Sequence, residues 1–169
     1  MRALRSFASV VLIGVALLML GGGQMFPAPF DPYLLERHLF GTYEVRLEWP
    51  RDFSDPQRAP FYSKVLSIWK GGKKLAETQW VLELDPITGE DVTGDGYPDV
   101  IAVHYSGGAH CCYELEVFSL GPRLERYPVP GGGNCPGKLS DLDGDGIYEV
   151  ITCDDIFAYR YGPFAYSPL

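Results

Sequence analysis

The sequence predicts a mainly β fold of antiparallel sheets packed together, with one short helix near the N-terminus. Three observations support this prediction. Apolar and polar residues alternate strictly from Tyr43 to Trp49, which is the pattern of a half-buried strand. Two apolar runs flank a Lys-Gly-Gly-Lys turn at residues 70–73, which is the pattern of a β-hairpin. Turn residues separate the later apolar runs, and almost no segment shows the 3.6-residue period of an amphipathic helix.

The length and composition indicate one folded, acidic domain. The chain has 169 residues, enough for a substantial core but short of two average domains. Its hydrophobic fraction of 46% and charged fraction of 21% disfavour disorder. The net charge of -8 opposes nucleic-acid binding, because that needs clustered Lys and Arg to displace phosphate counterions. We therefore expect no nucleic-acid partner.

Residues 1–24 have the organisation of a secretory signal peptide. Arg2 and Arg5 precede an uncharged run from Ser6 to Leu20, and three glycines follow at 21–23. This apolar run is about 15 residues long, shorter than the roughly 20 that a membrane-spanning helix needs. We predict that residues 1–24 contact the membrane only transiently during export. Residues 25–169 would then form a single domain that is secreted or lies in the periplasm or cell envelope.

The remaining elements follow from local signals in chain order. Asp31 and Pro32 open an apolar stretch that ends before Gly41, and this capping pattern predicts the short helix. The Pro-rich segment 50–60 has no period and is predicted to be a loop. Strands are predicted, after the one at 43–49, at 65–69, 75–84, 99–105, 113–120, 149–153 and 156–161.

The even number of cysteines predicts two disulfides in an exported chain. The four are Cys111, Cys112, Cys135 and Cys153. Three connectivities are possible. We favour one in which the adjacent cysteines bond separately to the two distant ones, because a bond between neighbours demands an unusual peptide geometry. The alternative is a soft-metal site that combines the adjacent cysteines with His104 and His110, but its spacing matches no standard tetrahedral pattern.

A nine-residue acidic motif occurs twice, at an offset of 50 residues. Residues 91–99 read DVTGDGYPD, residues 141–149 read DLDGDGIYE, and an apolar strand follows each copy. Oxygen-bearing side chains fall at positions 1, 3, 5 and 9, and the backbone carbonyl at position 7 adds a ligand, as in the first half of an EF-hand loop. The candidate ligands are Asp91, Thr93, Asp95, Tyr97 and Asp99 in the first loop, and Asp141, Asp143, Asp145, Ile147 and Glu149 in the second.

Calcium is the ion that this donor set predicts. Crowded carboxylates repel one another at neutral pH, and Ca²⁺ accepts six to eight oxygen ligands in a flexible geometry. Thr93 replaces a carboxylate, so we expect weaker binding in the first loop. An EF-hand is disfavoured because position 12 is Ala102 or Thr152 instead of a bidentate Glu. The alternative for a single copy would be an ordinary Asp-Gly turn with solvated acids.

The two motifs resemble the calcium loop of FG-GAP and VCBS repeats, which form the blades of integrin-alpha-type β-propellers. The resemblance covers roughly residues 80–165 and implies propeller-blade-like sheets in repeat units at about 80–130 and 131–169. Residues 98–113 are also similar to a segment of uncharacterised exported bacterial proteins. A closed ring needs at least four blades, or about 160–200 residues. Residues 25–169 are too few, so we do not expect a closed propeller.

Two classes of function follow. The first is an exported calcium-binding module with a structural role or an extracellular binding role toward a protein or glycan. The alternative is a secreted hydrolase with a site around the loop from Ser106 to Cys112, which includes His110 and Cys111. We favour the module over an enzyme because no motif supplies a nucleophile, a base and an orienting group together.

Overall fold

The structure is a computed structural model that describes residues 17–20, 24–27, 31–55, 59–107, 112–157 and 160. Most of the predicted signal segment, residues 1–16 and 21–23, lies outside the described residues. The strands are β1 Leu17–Leu20, β2 Gln24–Pro27, β3 Leu34–Phe40, β4 Tyr43–Glu48, β5 Lys64–Lys70, β6 Lys73–Leu84, β7 Asp99–Tyr105, β8 Tyr113–Leu120, β9 Leu124–Gly133, β10 Lys138–Ser140 and β11 Glu149–Ile151. In the described ranges, no helix has the length and apolar character needed to cross a membrane.

Strands β3 to β9 form one antiparallel seven-stranded sheet in chain order. Each strand pairs with the next one along the chain, so β3 and β9 lie at the two edges and the sheet does not close. Two smaller antiparallel pairs, β1 with β2 and β10 with β11, form separate two-stranded sheets. The prediction of a mainly β, antiparallel fold without a closed propeller is confirmed.

The predicted N-terminal helix is wrong, because the segment forms the edge strand β3. The Asp31 side chain accepts a hydrogen bond from the backbone N–H of Tyr33 at 3.0 Å, which makes an Asx turn instead of a helix cap. Gly41 has a φ of 58° and belongs to the turn between β3 and β4. An isolated helix this short is marginal, whereas β4 offers a full ladder of hydrogen bonds. Pairing with β4 therefore overrides the capping pattern.

One face of the sheet curls around the larger hydrophobic core. The Tyr43 hydroxyl donates a hydrogen bond to the Gly121 carbonyl at 2.8 Å, although β4 and the end of β8 are four strands apart. In a flat sheet this separation would be roughly 19 Å, so the sheet must be strongly curved. The enclosed side chains are Tyr43, Val45, Leu47, Leu66, Ile68, Val81, Val100, Ala102, Phe118 and Leu120.

A second, smaller core lies on the opposite face of β7 and β8. Because side chains alternate along a strand, Ile101 and Val103 point away from the curled face that Val100 occupies. Val92, from the first acidic loop, and Leu139, from β10, cover them together with Leu115 and Val117. This second core therefore attaches the acidic loops to the sheet.

The local strand predictions are mostly confirmed. Strands β7 and β8 match the predicted ranges, and the Lys-Gly-Gly-Lys turn joins β5 to β6. Trp49, which the alternation placed on the core face, follows the end of β4 and is only half-buried. Sequence reasoning missed β9 and β10. The strand predicted at 156–161 is not found in its described part, where Asp155–Phe157 forms a 3-10 turn.

Candidate functional site

The first acidic loop is organised by the carboxylate of Asp91. Its Oδ1 accepts hydrogen bonds from the backbone N–H groups of Gly94 at 2.8 Å and Asp95 at 3.1 Å. Its Oδ2 accepts one from Gly96 at 2.7 Å. Gly94 and Gly96 have positive φ angles of 74° and 88°, which curl the backbone around the carboxylate. The loop joins β6 to β7, and Asp99 is the first residue of β7.

The second loop repeats this arrangement between β10 and β11. Asp141 accepts hydrogen bonds from the N–H groups of Gly144 at 2.6 Å and Gly146 at 3.1 Å. The acids at position 5 act alike, since Asp145 accepts from the N–H of Ile147 at 2.7 Å as Asp95 does from Tyr97. The repeated motif therefore specifies one local structure twice.

The acids at position 9 also correspond. In the first loop, Asp99 Oδ2 accepts hydrogen bonds from the N–H groups of Val92 and Thr93, both at 2.9 Å. In the second, Glu149 Oε2 accepts one from Leu142 at 2.7 Å. Both acids begin the strand that follows the loop, so the sheet fixes their position.

Asp99 is fully buried, and part of its hydrogen-bonding capacity is unused. Its Oδ1 and the Thr93 Oγ1 are buried, and neither makes a hydrogen bond of standard geometry. Burial raises the pKa of Asp99, while the N–H donors of Thr93 and Val92 and the nearby Thr93 hydroxyl act to lower it. An unpartnered buried oxygen is costly, and these two oxygens occupy positions 3 and 9 of the motif. They are the oxygen atoms that would coordinate a bound cation.

In the second loop three carboxylates converge. Oxygens of Asp141, Asp143 and Glu149 lie within 4.8 Å of one another. Among the residues that the structure describes, no other three His, Cys, Asp or Glu side chains meet this criterion. Like charges this close repel unless a cation lies among them. The loop therefore presents a hard, anionic oxygen site of the kind that Ca²⁺ prefers.

The two loops pack against each other. The Tyr148 backbone N–H donates to the Val92 carbonyl at 3.0 Å, and its hydroxyl donates to Glu90 Oε2 at 2.9 Å. The latter bond raises the pKa of Tyr148. Ile147 lies directly over Gly94, where an added Cβ would come within 2.8 Å of its Cγ1. The two candidate sites therefore belong to one interlocked unit.

Asp95 and Asp145, the acids at position 5, do not belong to the group of converging carboxylates. Asp95 Oδ2 accepts a hydrogen bond from the hydroxyl of Ser119 on β8, which ties the loop to the sheet. The Tyr97 and Ile147 side chains are partly exposed, at 42% and 52%. Sequence reasoning missed Ser119, Glu90 and the role of Tyr148. The motif itself carried no signal for them, because these contacts depend on how the loops pack.

The predicted disulfide pairing is wrong. Cys135 and Cys153 bond to each other, with their Cα atoms 5.7 Å apart, so neither bonds to the adjacent pair. Cys112 is also disulfide-bonded, whereas Cys111 lies outside the described residues. The pair fits because β10 and β11 are hydrogen-bonded to each other, which brings the flanking segments together. The second acidic loop is thus enclosed by a covalent bond.

The segment considered for a hydrolase is held by backbone contacts. The Ser106 hydroxyl accepts a hydrogen bond from the Cys112 N–H at 2.8 Å, and the Ser106 N–H donates to the Cys112 carbonyl at 3.0 Å. These bonds close the loop at its base. His110 lies outside the described residues. His104, in β7, lies 3.3 Å from Glu116.

Comparisons with known proteins find partial similarity to two relatives. A probable thylakoid lumen protein of Synechocystis sp. is 31% identical over 110 residues, a match that covers 63% of this chain and 31% of the relative. An uncharacterised protein of Sinorhizobium fredii is 32% identical over 74 residues, which is 41% of this chain and 11% of that protein. The chain thus spans a third or less of the length of either relative. No family model and no solved structure matches.

Proposed function

We propose that this protein is an extracytoplasmic calcium-binding β module whose two acidic loops each hold one Ca²⁺. The observation that carries the proposal is the convergence of Asp141, Asp143 and Glu149 within 4.8 Å. The unpartnered oxygens of Thr93 and Asp99 extend it to the first loop. The role is structural, because the loops pin the second core and the β10–β11 pair to the sheet.

An extracytoplasmic location is supported by three independent features. The first 24 residues have the organisation of a signal peptide. Cys135 and Cys153 form a disulfide, which persists in oxidising compartments. A relative is described as a probable thylakoid lumen protein.

The proposal is tested by calorimetric titration of chelator-treated protein with CaCl₂, together with thermal melting. We expect two binding events, with the tighter one in the second loop, and a melting temperature several degrees higher with calcium, because a ligand that binds only the native state stabilises it. Asp143→Asn should remove most of the tighter event, since it deletes one of three converging charges.

Asp52→Asn provides the matched control, because it removes an exposed carboxylate outside both loops. It should leave both binding events and the calcium-dependent rise in melting temperature unchanged. A titration without heat, combined with identical melting in calcium and in chelator, would reject the proposal.

A further inference from the structure

An open groove of about 790 Å³ lies on the face of β4, β5 and β6 opposite the larger core. On β4, Val45 points into that core, whereas Arg46 and Glu48 point into the groove. The segment after β4 and the residues just before β5 also line it. The acidic loops pack on β7 and β8, and the groove shares no lining residue with them.

Three indole rings line this groove: Trp49, Trp69 and Trp80. Trp69 donates its ring N–H to the Ser67 hydroxyl at 2.9 Å, and Trp80 stacks on Tyr62 with ring centroids 6.2 Å apart. Indoles combine a broad apolar surface with one polar edge. Arg46 lies over the Trp69 ring at 4.8 Å and Lys64 over the Trp49 ring at 5.7 Å, whereas Trp80 is 54% exposed. Trp80 is therefore the indole most open to a ligand that has both apolar and polar faces.

Trp80 is held in an unusual backbone conformation. Its φ is +62°, and among the described residues it is the one non-glycine with a positive φ. It lies where the pairing of β6 shifts register, and its side chain is 54% exposed. A left-handed conformation is unfavourable for a bulky residue, and such strain concentrates at functional positions. Burial does not repay this cost, since the ring projects into the groove.

The charges in the groove are balanced in number, and all three of its cations are paired. Its cations are Arg46, Arg51 and Lys74, and its anions are Glu48, Asp52 and Glu77. Each cation contacts a carboxylate: Arg46 lies 2.7 Å from Glu44, Arg51 lies 2.9 Å from Glu48, and Lys74 contacts Glu77. Asp52 makes no ion pair with a described residue, but among the described lining residues the groove has no unpaired cation to attract an anionic ligand.

We propose that this groove binds a neutral oligosaccharide. Sugar rings present C–H faces that stack on indoles, and their hydroxyls both donate and accept hydrogen bonds, which suits walls of paired acids and bases. A proline-rich peptide would also suit the aromatic lining, but it offers few donors to the carboxylates of Glu48, Asp52 and Glu77. The proposal adds a binding role to the structural role of the acidic loops and rests on the proposed function only for its extracytoplasmic setting.

The test is native affinity electrophoresis of the full chain in gels that contain hydroxyethyl cellulose, glucomannan, laminarin or amylopectin. We expect at least one of these neutral polymers to retard the protein. Trp80→Gly should weaken the retardation by about tenfold, because loss of one stacking platform removes roughly 1–1.5 kcal/mol. Glycine accepts a positive φ without strain, so this variant should fold at least as well as the natural chain.

Tyr127→Ala is the matched control, because Tyr127 is an aromatic residue on β9 that is 41% exposed and does not line the groove. It should be retarded like the natural chain.

The inference is overturned if none of the four polymers retards the protein, or if Trp80→Gly is retarded equally. It is also overturned if only an anionic alginate gel or a titrated polyproline peptide shows binding. Retardation that persists in chelator, in a protein that gives no calcium titration, would reject the calcium sites and leave the groove proposal standing.

Discussion

At the scale of single residues, Gly94 and Gly96 allow backbone strain to be separated from the steric contact between the two loops. Both have positive φ, so alanine at either position should cost about 1–2 kcal/mol of backbone strain. An added Cβ at Gly94 would also come within 2.8 Å of Ile147 Cγ1, whereas at Gly96 it would meet nothing within 4 Å. We therefore expect Gly94→Ala to destabilise the protein more than Gly96→Ala in chemical denaturation. Equal losses would show that the contact between the loops contributes no stability.

The lowered pKa of Glu116 predicts how the stability of the protein depends on pH. Its side chain is 8% exposed, and burial alone would raise its pKa, but His104 and Arg126 outweigh burial and lower the pKa below the usual 4.5. The native state therefore binds the proton less readily than the unfolded chain. The resulting stabilisation is complete above about pH 4.5 and is lost as the pH falls through the native pKa.

The matched variant for this prediction is Glu116→Gln, which keeps the shape and removes the titration. We expect it to lower the free energy of unfolding at pH 7 and to narrow the difference between pH 7 and pH 3, measured by urea denaturation. Glu125→Gln, which removes a carboxylate on β9, is the control and should keep the full difference. An unchanged pH profile in Glu116→Gln would contradict the prediction.

At the scale of elements, the interlocked acidic loops predict coupled ion binding. Tyr148 bonds to Glu90 and Val92, so ordering one loop should help to order the other. Removing the second site with Asp141→Asn and Asp143→Asn should weaken calcium binding in the first loop by about fivefold, the lower end of typical coupling between sites. Calorimetric titration measures this change.

Tyr148→Phe keeps all the predicted ligands and should reduce the coupling between the loops. Unchanged calcium affinity in the first loop of the double variant would show that the loops are independent.

The elements also show how far sequence reasoning reaches. The β5–β6 hairpin and strands β7 and β8 could be predicted because their turns and apolar patterns are local. The segment of β3 carries helix-capping residues, and its structure depends on pairing with β4, which a local pattern does not contain. The acidic motif likewise identified the candidate ligand residues, but the bond from Ser119 to Asp95 and the contacts of Tyr148 arise only from packing.

At the scale of the whole molecule, the disulfide between Cys135 and Cys153 encloses the second acidic loop. The two cysteines are 18 residues apart in sequence. A disulfide that closes a loop of this size stabilises the native state by about 3 kcal/mol, because it restricts the conformations of the unfolded chain. The variant Cys135→Ser with Cys153→Ser should therefore melt at a lower temperature. It should also bind calcium more weakly in the second loop, because ion binding must then order a freer chain.

These substitutions are a more selective test than a reducing agent, because they leave the disulfide of Cys112 intact. Melting curves and calcium titrations of the same preparation measure both effects. Asn134 donates its backbone N–H to Asp155 at 3.1 Å and its side-chain amide at 2.8 Å, so some closure should survive in the variant. Unaltered melting and calcium affinity would show that these hydrogen bonds suffice without the sulfurs.

The bond from Tyr43 to Gly121 has a consequence for the order of folding. Each strand of the sheet pairs with the next one along the chain, and the longest connections, β4 to β5 and β6 to β7, have 15 and 14 residues, so these closures are local and fast. The Tyr43 hydroxyl, by contrast, reaches a carbonyl 78 residues away and requires β5 to β8 to be in place. Long-range closures of this kind slow folding in proportion to the chain entropy they remove. The last step of folding should therefore be the curving of an already paired sheet, which is completed when the Tyr43 hydroxyl bonds to the Gly121 carbonyl.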